Sequence, residues 1–298
     1  MAFGSKSNNA GRQIELKGVF ASAITPHRAA TPEVDFSAAL DLFDFLTNAG
    51  VEGISIFGTT GEFLNYSFQE RQRLIYLGAK RSRVPLIAGV SHSTLAGAIQ
   101  LADEAVTSGA DALLLLPPYF YRYEQTEIEA FYLQFAKEIR GGVPVLIHNH
   151  PNVTSPIDIG TVRRLSETGH YAGIEDCSGD LKYLAGLLEL KRSRPFAVLT
   201  GNERIAAQAL REGADGIISG AACAIPELIV ELFRTKEENE KLNEFKDWEE
   251  RFPHPIAIKQ AVALRKQKSG PPLTPLAPAT TQLLDEFTKW FIKSNSAH

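Results

Sequence analysis

The 298-residue sequence contains very little cysteine, with Cys177 and Cys223 as its two thiols. Two thiols exclude a disulfide framework, because small secreted scaffolds that depend on disulfides are rich in cysteine. They also cannot form a zinc site by themselves, since structural zinc sites use four protein ligands. Scarce cysteine is typical of proteins from a reducing compartment, and we therefore expect a cytoplasmic protein.

Long apolar runs and a charge excess are also missing. No run approaches the roughly 20 apolar residues that a membrane-spanning helix needs. The net charge of −4 gives no reason to expect nucleic acid or an anionic membrane as a partner. The polar segment Met1–Gln13 has no apolar stretch of the secretory-signal type, and we expect it to be a disordered leader.

From Gly18 onward the sequence repeats a pattern of short apolar segment, turn and amphipathic segment. Each apolar segment is bounded by glycine, proline or polar residues, which is typical of strands buried on both faces. The predicted strands are Val19–Ile24, Ile54–Phe57, Leu86–Ala88, Ala112–Leu116, Val143–Ile147, Ala172–Ile174, Ala197–Leu199 and Gly216–Ile218.

Helical periodicity fills the intervals between these strands, at 35–49, 68–82, 94–108, 125–139, 158–168, 180–190, 203–212 and 226–233. Strict alternation of strand and helix predicts a parallel sheet, and eight units close into a barrel. An open doubly wound sheet usually has a glycine-rich dinucleotide loop after its first strand, and the segment 23–26 is no such loop. We therefore predict an α/β fold, a (β/α)8 TIM barrel over residues 14–234.

The composition changes after Phe233, where charged residues become dense. Three more helices are expected, the first of them a solvated helix with one apolar stripe. Three short helices bury little apolar surface alone, so we expect residues 235–298 to pack on the barrel. These predicted helices are Thr235–Arg251, Pro255–Lys268 and Thr280–Ile292.

In a TIM barrel the chemistry takes place where the strands end, so the residues after each strand are the candidates. Strand 2 is followed by Gly58-Thr59-Thr60-Gly61, in which backbone N–H groups and two hydroxyls can converge on a carboxylate. The alternative is an ordinary hydrogen-bonded turn in which Glu62 caps the next helix.

Strands 5 and 6 end in titratable side chains. His148 and His150 are two residues apart and face the same way if the strand extends that far. They can act as an acid–base pair or bind a metal, although one hydrogen-bonded and one surface histidine is the favoured alternative to a metal. Glu175 follows strand 6, where a desolvated carboxyl group can serve as acid or base, or simply pair with His148.

Two further segments complete the predicted substrate site. Tyr119 lies in the stiff aromatic loop Pro117–Tyr121, which can equally pack under the barrel rim or at a subunit contact. Ser219 lies in Gly216–Ala222, where small residues allow the backbone to approach a ligand. The alternative is that this segment is only a tight loop before helix 8. We add Tyr119 and Ser219 to the two threonines as predicted substrate-binding residues.

Together these segments resemble the dihydrodipicolinate synthase / N-acetylneuraminate lyase family of class I aldolases. The resemblance extends from Gly18 to Phe291, nearly the whole chain. Many short motifs in the same order are far more specific than any one of them. The motifs are Thr25-Pro26, Gly58–Glu62, Pro118-Tyr119, Asn149 with Pro151, the Gly-Ile-x-Asp-x-Ser-Gly-Asp frame at 173–180, Gly216–Gly220, Ile256–Ala261 and Pro271–Pro275.

The resemblance implies a barrel that binds pyruvate or another 2-oxo acid. In the family a strand 6 lysine forms an imine with this substrate, a strand 5 tyrosine transfers protons, and a threonine pair binds the carboxylate. This sequence keeps the threonines as Thr59 and Thr60, but Glu175 replaces the lysine and His148 replaces the tyrosine.

Two other family positions also differ. Phe120 replaces an aromatic residue, often tyrosine, that reaches into a neighbouring subunit, and Val153 aligns with the arginine that binds the second substrate's carboxylate. A carboxylate cannot form an imine. Orthodox dihydrodipicolinate synthase or sialic acid lyase activity is therefore not expected.

Three hypotheses follow. First, the chain is a lyase that acts on a small carboxylate-bearing substrate through Glu175 and His148, by acid–base chemistry or with a metal that His150 helps to bind. Second, it is an inactive barrel that binds a ligand or regulates an active paralogue. Third, a displaced lysine such as Lys182 or Lys259 forms the imine, which we regard as least favoured. We favour the first, predict no cofactor, assign no metal ligand, and expect a homodimer or homotetramer.

Overall fold

A computed structural model describes residues 14–140 and 142–295, so the predicted leader Met1–Gln13 lies outside the described residues. Eight parallel strands close into one barrel in sequence order, with the first strand paired to the eighth. The predicted (β/α)8 architecture is confirmed.

The strands are β1 Gly18–Ser22, β2 Gly53–Ile56, β3 Leu86–Gly89, β4 Ala112–Leu115, β5 Val145–Asn149, β6 Tyr171–Asp176, β7 Ala197–Thr200 and β8 Gly216–Ser219. The barrel helices are α1 Phe36–Asn48, α2 Phe68–Arg81, α3 Leu95–Ser108, α4 Gln125–Glu138, α5 Ile159–Glu167, α6 Leu181–Ser193, α7 Ala206–Glu212 and α8 Pro226–Thr235. Three further helices follow, α9 Glu240–Glu249, α10 Ile256–Leu264 and α11 Pro278–Asn295.

Both faces of the strands are buried, in two separate apolar clusters. Phe20, Leu114 and Ile218 belong to a small cluster inside the barrel. Val19 and Leu115 point the other way, into a large cluster between the strands and the helices. Because side chains alternate along a strand, this double burial explains why the strand segments of the sequence are apolar throughout.

Five strands extend beyond their predicted ends, β3, β7 and β8 by one residue and β5 and β6 by two, and the two longer extensions position the candidate site. The predicted strand 5 ended at Ile147, but β5 continues to Asn149, and β6 continues past Ile174 to Asp176. The parallel ladder pairs His148 with Glu175 and Asn149 with Asp176. Polar residues ended the predicted strands too early, because backbone hydrogen bonds between neighbouring strands outweigh side-chain polarity here.

The C-terminal helices share one apolar cluster with the barrel helices. Phe287 of α11 is fully buried, with its ring about 6 Å from those of Phe245, Trp248 and Phe252. The packing of these helices against the rest of the chain was predicted. Among residues 14–140 and 142–295, no helix is both long and apolar enough to span a bilayer.

We predict that Phe287→Ala lowers the free energy of unfolding by about 3–5 kcal/mol, because it leaves a cavity at the centre of the aromatic cluster. Urea denaturation followed by circular dichroism measures the change. Glu286→Ala, one residue earlier on the exposed face, is the control and should change stability by less than about 0.5 kcal/mol. A similar loss in both variants would contradict the packing described for Phe287.

Candidate active site

A cavity of about 350 Å³ opens at the C-terminal ends of the barrel strands. Strands β5 and β6 contribute His148 and Glu175 to its wall. Helix α9 and the segment after it contribute Lys246 and His254 from the opposite side. The C-terminal helices therefore enclose the position where TIM barrels bind their substrates.

Three side chains of the cavity wall lie close together and form a central trio, made of His148, Glu175 and Cys177. Nε2 of His148 lies 3.7 Å from Oε2 of Glu175 and 3.6 Å from Sγ of Cys177. The Cys177 thiol in turn lies 3.6 Å from Oε1 of Glu175. The ladder register of β5 and β6 brings the histidine and the carboxyl group together, as the sequence predicted for two residues on neighbouring strand ends.

Burial keeps all three groups uncharged at neutral pH. It raises the pKa of Glu175 to about 8, with nearby carboxylates adding to the effect. Burial also holds the pKa of His148 well below its usual value, and the His150 ring contributes. Burial and Glu175 raise the pKa of the Cys177 thiol well above its ordinary value. The 3.7 Å contact of His148 with Glu175 is therefore a contact between neutral groups rather than an ion pair.

Among the described residues, two polar atoms of the cavity lining have no hydrogen-bond partner. Oε2 of Glu175 and Nδ1 of His150 are both buried without one. His150 does face the same cavity as His148, with ring centroids 5.7 Å apart. Its pKa falls to about 4, mainly through burial and then through His254. Unpartnered buried polar atoms are unusual and often mark a binding site.

The threonine turn lies on the cavity wall, with Thr59 partly exposed and Thr60 buried. Oγ1 of Thr60 is 3.3 Å from Nε2 of His254. The turn is followed by Glu62, which has a left-handed backbone and makes no side-chain cap to the short helix after it. Its carboxylate instead accepts a 2.8 Å hydrogen bond from buried Lys259. This ion pair holds the end of the turn in place.

The other two predicted substrate residues lie apart from this cavity. Tyr119 lines a neighbouring cavity of about 360 Å³, which shares Thr59, Val153 and His254 with the first. Ser219 is fully buried and donates a 2.8 Å hydrogen bond to Oε1 of Glu203. The serine therefore contacts another side chain of the site, and it is not on the cavity wall.

Lys246 also lines the cavity, although the sequence did not predict it there. It was assigned to a solvated helix, but its side chain is only 12% exposed. Its ammonium group donates to Glu203 at 3.0 Å and to Glu249 at 2.8 Å. The spacing of Lys246 and Glu249, three residues apart on one helical face, was the available signal for such a pair. The signal did not reveal that α9 packs over the barrel.

This buried network remains charged, unlike the central trio. Burial alone would raise the pKa of Glu203, but Lys246 and three hydrogen bonds outweigh it and lower that pKa to about 2. Burial lowers the pKa of Lys246, but Glu203 and Glu249 outweigh it and hold this pKa above its usual value. Lys246 is therefore a protonated amine at neutral pH.

Comparison with known proteins assigns the family. The model of the dihydrodipicolinate synthetase family matches residues 15–293. The chain belongs to this family. A 4-hydroxy-tetrahydrodipicolinate synthase of Methanothrix thermoacetophila is 29% identical over 288 residues, which cover 92% of this chain and 97% of that relative. The enzyme of the same name from Kosmotoga olearia is 32% identical over 223 residues, or 73% of this chain and 74% of that one.

Solved structures agree with this assignment. The dihydrodipicolinate synthase of Acinetobacter baumannii, crystallised with pyruvate, has a TM-score of 0.83 at 27% identity and covers 93% of this chain and 99% of that one. A 2-keto 3-deoxygluconate aldolase from Picrophilus torridus has a TM-score of 0.81 and covers 88% of this chain and 98% of that one. At 24% identity this second likeness shows the fold alone.

We predict that Lys246→Met lowers the free energy of unfolding by about 3–5 kcal/mol near neutral pH, because two buried carboxylates lose their counter-ion. The deficit relative to the unmodified protein should shrink as the pH falls from about 4.5 to about 2. Glu203 keeps its charge over this range only while Lys246 is present, since its pKa is 4.5 ordinarily and about 2 in the folded protein.

Denaturant unfolding over this pH range measures both effects. Lys289→Met, at an exposed position of α11, is the matched control and should change stability by less than about 0.5 kcal/mol. A deficit that stayed constant as the pH fell would mean that the methionine acts through packing rather than through the loss of the ion pair.

Proposed function

We propose that this chain is a lyase that acts on a small, carboxylate-bearing, 2-oxo acid-like substrate without forming a lysine imine. Glu175 and His148 are its proposed catalytic residues, and Thr59 and Thr60 its proposed anchor for the carboxylate. The observation that carries the proposal is the buried contact of Glu175 with His148 at the end of β6. The resemblance puts the family's imine-forming lysine at the position of Glu175.

The state of the cavity's lysine supports a route without an imine. Lys246 is the one lysine on the cavity wall among the described residues. An amine must be unprotonated to attack a ketone. Glu203 and Glu249 keep Lys246 protonated, and both hydrogen bonds hold its ammonium group between them. The displaced-lysine hypotheses for Lys182 and Lys259 fare no better, because the first is exposed and the second is paired with Glu62.

The chemistry of the reaction defines what must replace the imine. Breaking a bond next to a carbonyl group leaves an electron pair, which the substrate's carbonyl oxygen must accept. An acid or a metal ion at that oxygen can stabilise the charge as an iminium nitrogen does. Glu175, His148 and Cys177 lie together at the centre of the cavity and can supply either. A proton-accepting group is also needed, and the neutral imidazoles of His148 and His150 supply it.

The setting of the threonine turn supports a carboxylate as the anchored group. The described part of the chain contributes two permanent cations to the cavity wall, Lys246 and Arg204, and each is paired with two carboxylates. A substrate carboxylate is therefore left with the hydroxyls and backbone N–H groups of the turn, which bind anions in many proteins.

We also propose that the protein is cytoplasmic and works as a homodimer or homotetramer. Phe120 and Tyr121, in the loop after β4, are 87% and 68% exposed in the single chain. Exposed aromatic residues of this kind are enriched in protein interfaces. The two cysteines are free thiols, which suits a reducing compartment.

We expect Glu175→Gln to reduce kcat by about 10²–10⁴-fold, because the amide keeps the shape of the side chain but cannot exchange a proton or bind a metal as a carboxylate. A panel of 2-oxo acids and their hydroxylated adducts, followed by proton NMR, measures turnover. Glu189→Gln, on the exposed face of α6, is the matched control and should retain full activity. A fully active Glu175→Gln protein would rule out the proposal.

A second measurement tests the absence of an imine. Incubation with pyruvate or glyoxylate and borohydride should leave the intact mass unchanged, because Lys246, the one lysine that the described residues contribute to the cavity wall, is protonated. A stoichiometric adduct would contradict this expectation, and peptide mapping would identify the lysine. If no substrate of the panel turns over but one raises the melting temperature, the inactive binding protein becomes the better hypothesis.

A further inference from the structure

We propose that His148, Glu175 and Cys177 form a binding site for a divalent transition-metal ion of the zinc class, with one coordination position open to the cavity. In the proposed lyase this metal ion would be the electrophile that polarises the substrate, so its catalytic role rests on the proposed function. Metal binding itself is measured without turnover, and the two can therefore fail separately.

The spacing of the three ligand atoms carries the inference. A tetrahedral zinc ion with bonds of about 2.0–2.3 Å holds its nitrogen, oxygen and sulfur ligands about 3.3–3.6 Å apart. In this cavity Nε2 of His148 lies 3.6 Å from Sγ of Cys177 and 3.7 Å from Oε2 of Glu175. The thiol is 3.6 Å from the other glutamate oxygen, Oε1. One ligand atom from each of the three residues lies within 4.8 Å of the other two, so the three side chains are close enough to share one ion.

A second observation is independent of this spacing. Glu175 is 5% exposed, and no residue within 14–140 or 142–295 forms a hydrogen bond with its Oε2. At 3.7 Å, Nε2 of His148 is too distant from it for a hydrogen bond. A buried carboxyl oxygen without a partner is costly, and a metal ion between it and the imidazole would remove that cost.

A glycine next to the three proposed ligands leaves room for the side chains of Cys177 and Glu175. Gly201 follows β7, and a Cβ atom there would lie 2.2 Å from Sγ of Cys177 and 2.8 Å from Oε1 of Glu175. Its backbone φ is not in the left-handed region, so the turn itself does not require a glycine here. The missing side chain therefore clears space for the thiol and the carboxyl group.

The ligand types select the metal. A thiolate and an imidazole favour zinc, cobalt and similar ions, whereas magnesium and calcium prefer oxygen ligands alone. Three protein ligands with a fourth position facing a cavity are the arrangement of catalytic rather than structural zinc sites. The open position would take a water molecule or a substrate oxygen, which the metal would polarise as a Lewis acid.

Zinc titration of chelator-stripped protein, purified without a nickel column, tests the site. We expect calorimetry to give one zinc ion per chain and no comparable binding of magnesium. Cobalt in place of zinc should produce a near-ultraviolet thiolate-to-metal absorption band. Equal binding of zinc and magnesium, or a cobalt complex without the thiolate band, would overturn the assignment.

Single substitutions then locate the ion. Cys177→Ser, His148→Asn and Glu175→Gln should each raise the Kd for zinc by more than about tenfold, since changes even in outer-shell partners cost that much. The controls are Cys223→Ser, at a buried cysteine away from the cavity, and exposed His170→Asn, which should bind zinc unchanged. Circular dichroism verifies the fold of each variant. Zinc affinity that is the same in all five variants would mean adventitious surface binding and would overturn the proposal.

Turnover separates this inference from the proposed function. Activity that chelation removes and zinc restores supports both. Activity that survives complete metal removal supports the lyase but overturns a catalytic metal. Zinc bound through the trio, with no turnover of any 2-oxo acid, supports the metal site and counts against the lyase.

Discussion

The parallel ladder between β5 and β6 is the constraint on which the site depends. Its register places His148 opposite Glu175 and Asn149 opposite Asp176, the last residues of the two strands. The side-chain amide of Asn149 also donates a 2.7 Å hydrogen bond to the Asp176 carboxylate, which links the two strand ends. Backbone pairing thus directs the side chains of His148 and Glu175 toward the barrel interior. In a loop, the same side chains would be free to turn toward solvent. The chemistry of the cavity follows from this forced proximity.

Burial leaves one group of side chains in the cavity neutral and a neighbouring group ionised. The central trio is desolvated without a counter-ion, so its histidine and carboxyl group are neutral near pH 7. Glu203 is just as deeply buried, yet Lys246 and hydrogen bonds from Ser219 and Ala221 keep it ionised. A carboxyl group of one chemical type thus has a pKa of about 8 or about 2, depending on whether a cation was buried with it.

Most of the fold could be predicted from the sequence because buried parallel strands and amphipathic helices have distinct local patterns. The strand ends could not, since pairing across the ladder carried β5 and β6 two residues beyond their apolar segments. The positions of His148 and Glu175 followed from the barrel and were predictable. Lys246 was missed because its role depends on α9 packing over the barrel mouth, a contact between distant segments that no local pattern encodes. Cys177 was missed as a cavity residue for a related reason, since its neighbours come from two strands.

The resemblance places Glu175 where the family has its imine-forming lysine, and under the proposed function this glutamate makes physical sense only with its surroundings. A carboxylate alone in this cavity would repel an anionic substrate and would lie near Asp176 and Glu203. Protonation removes the charge but leaves one oxygen of Glu175 without a partner. A divalent cation would neutralise the carboxylate and the thiolate together, satisfy that oxygen, and present positive charge to the substrate. His148 fits the same account, because a neutral imidazole is a good metal ligand whereas a phenol at that position is a weak one. On this proposal Glu175 and His148, which the resemblance aligns with the family's lysine and tyrosine, are parts of one site rather than separate losses.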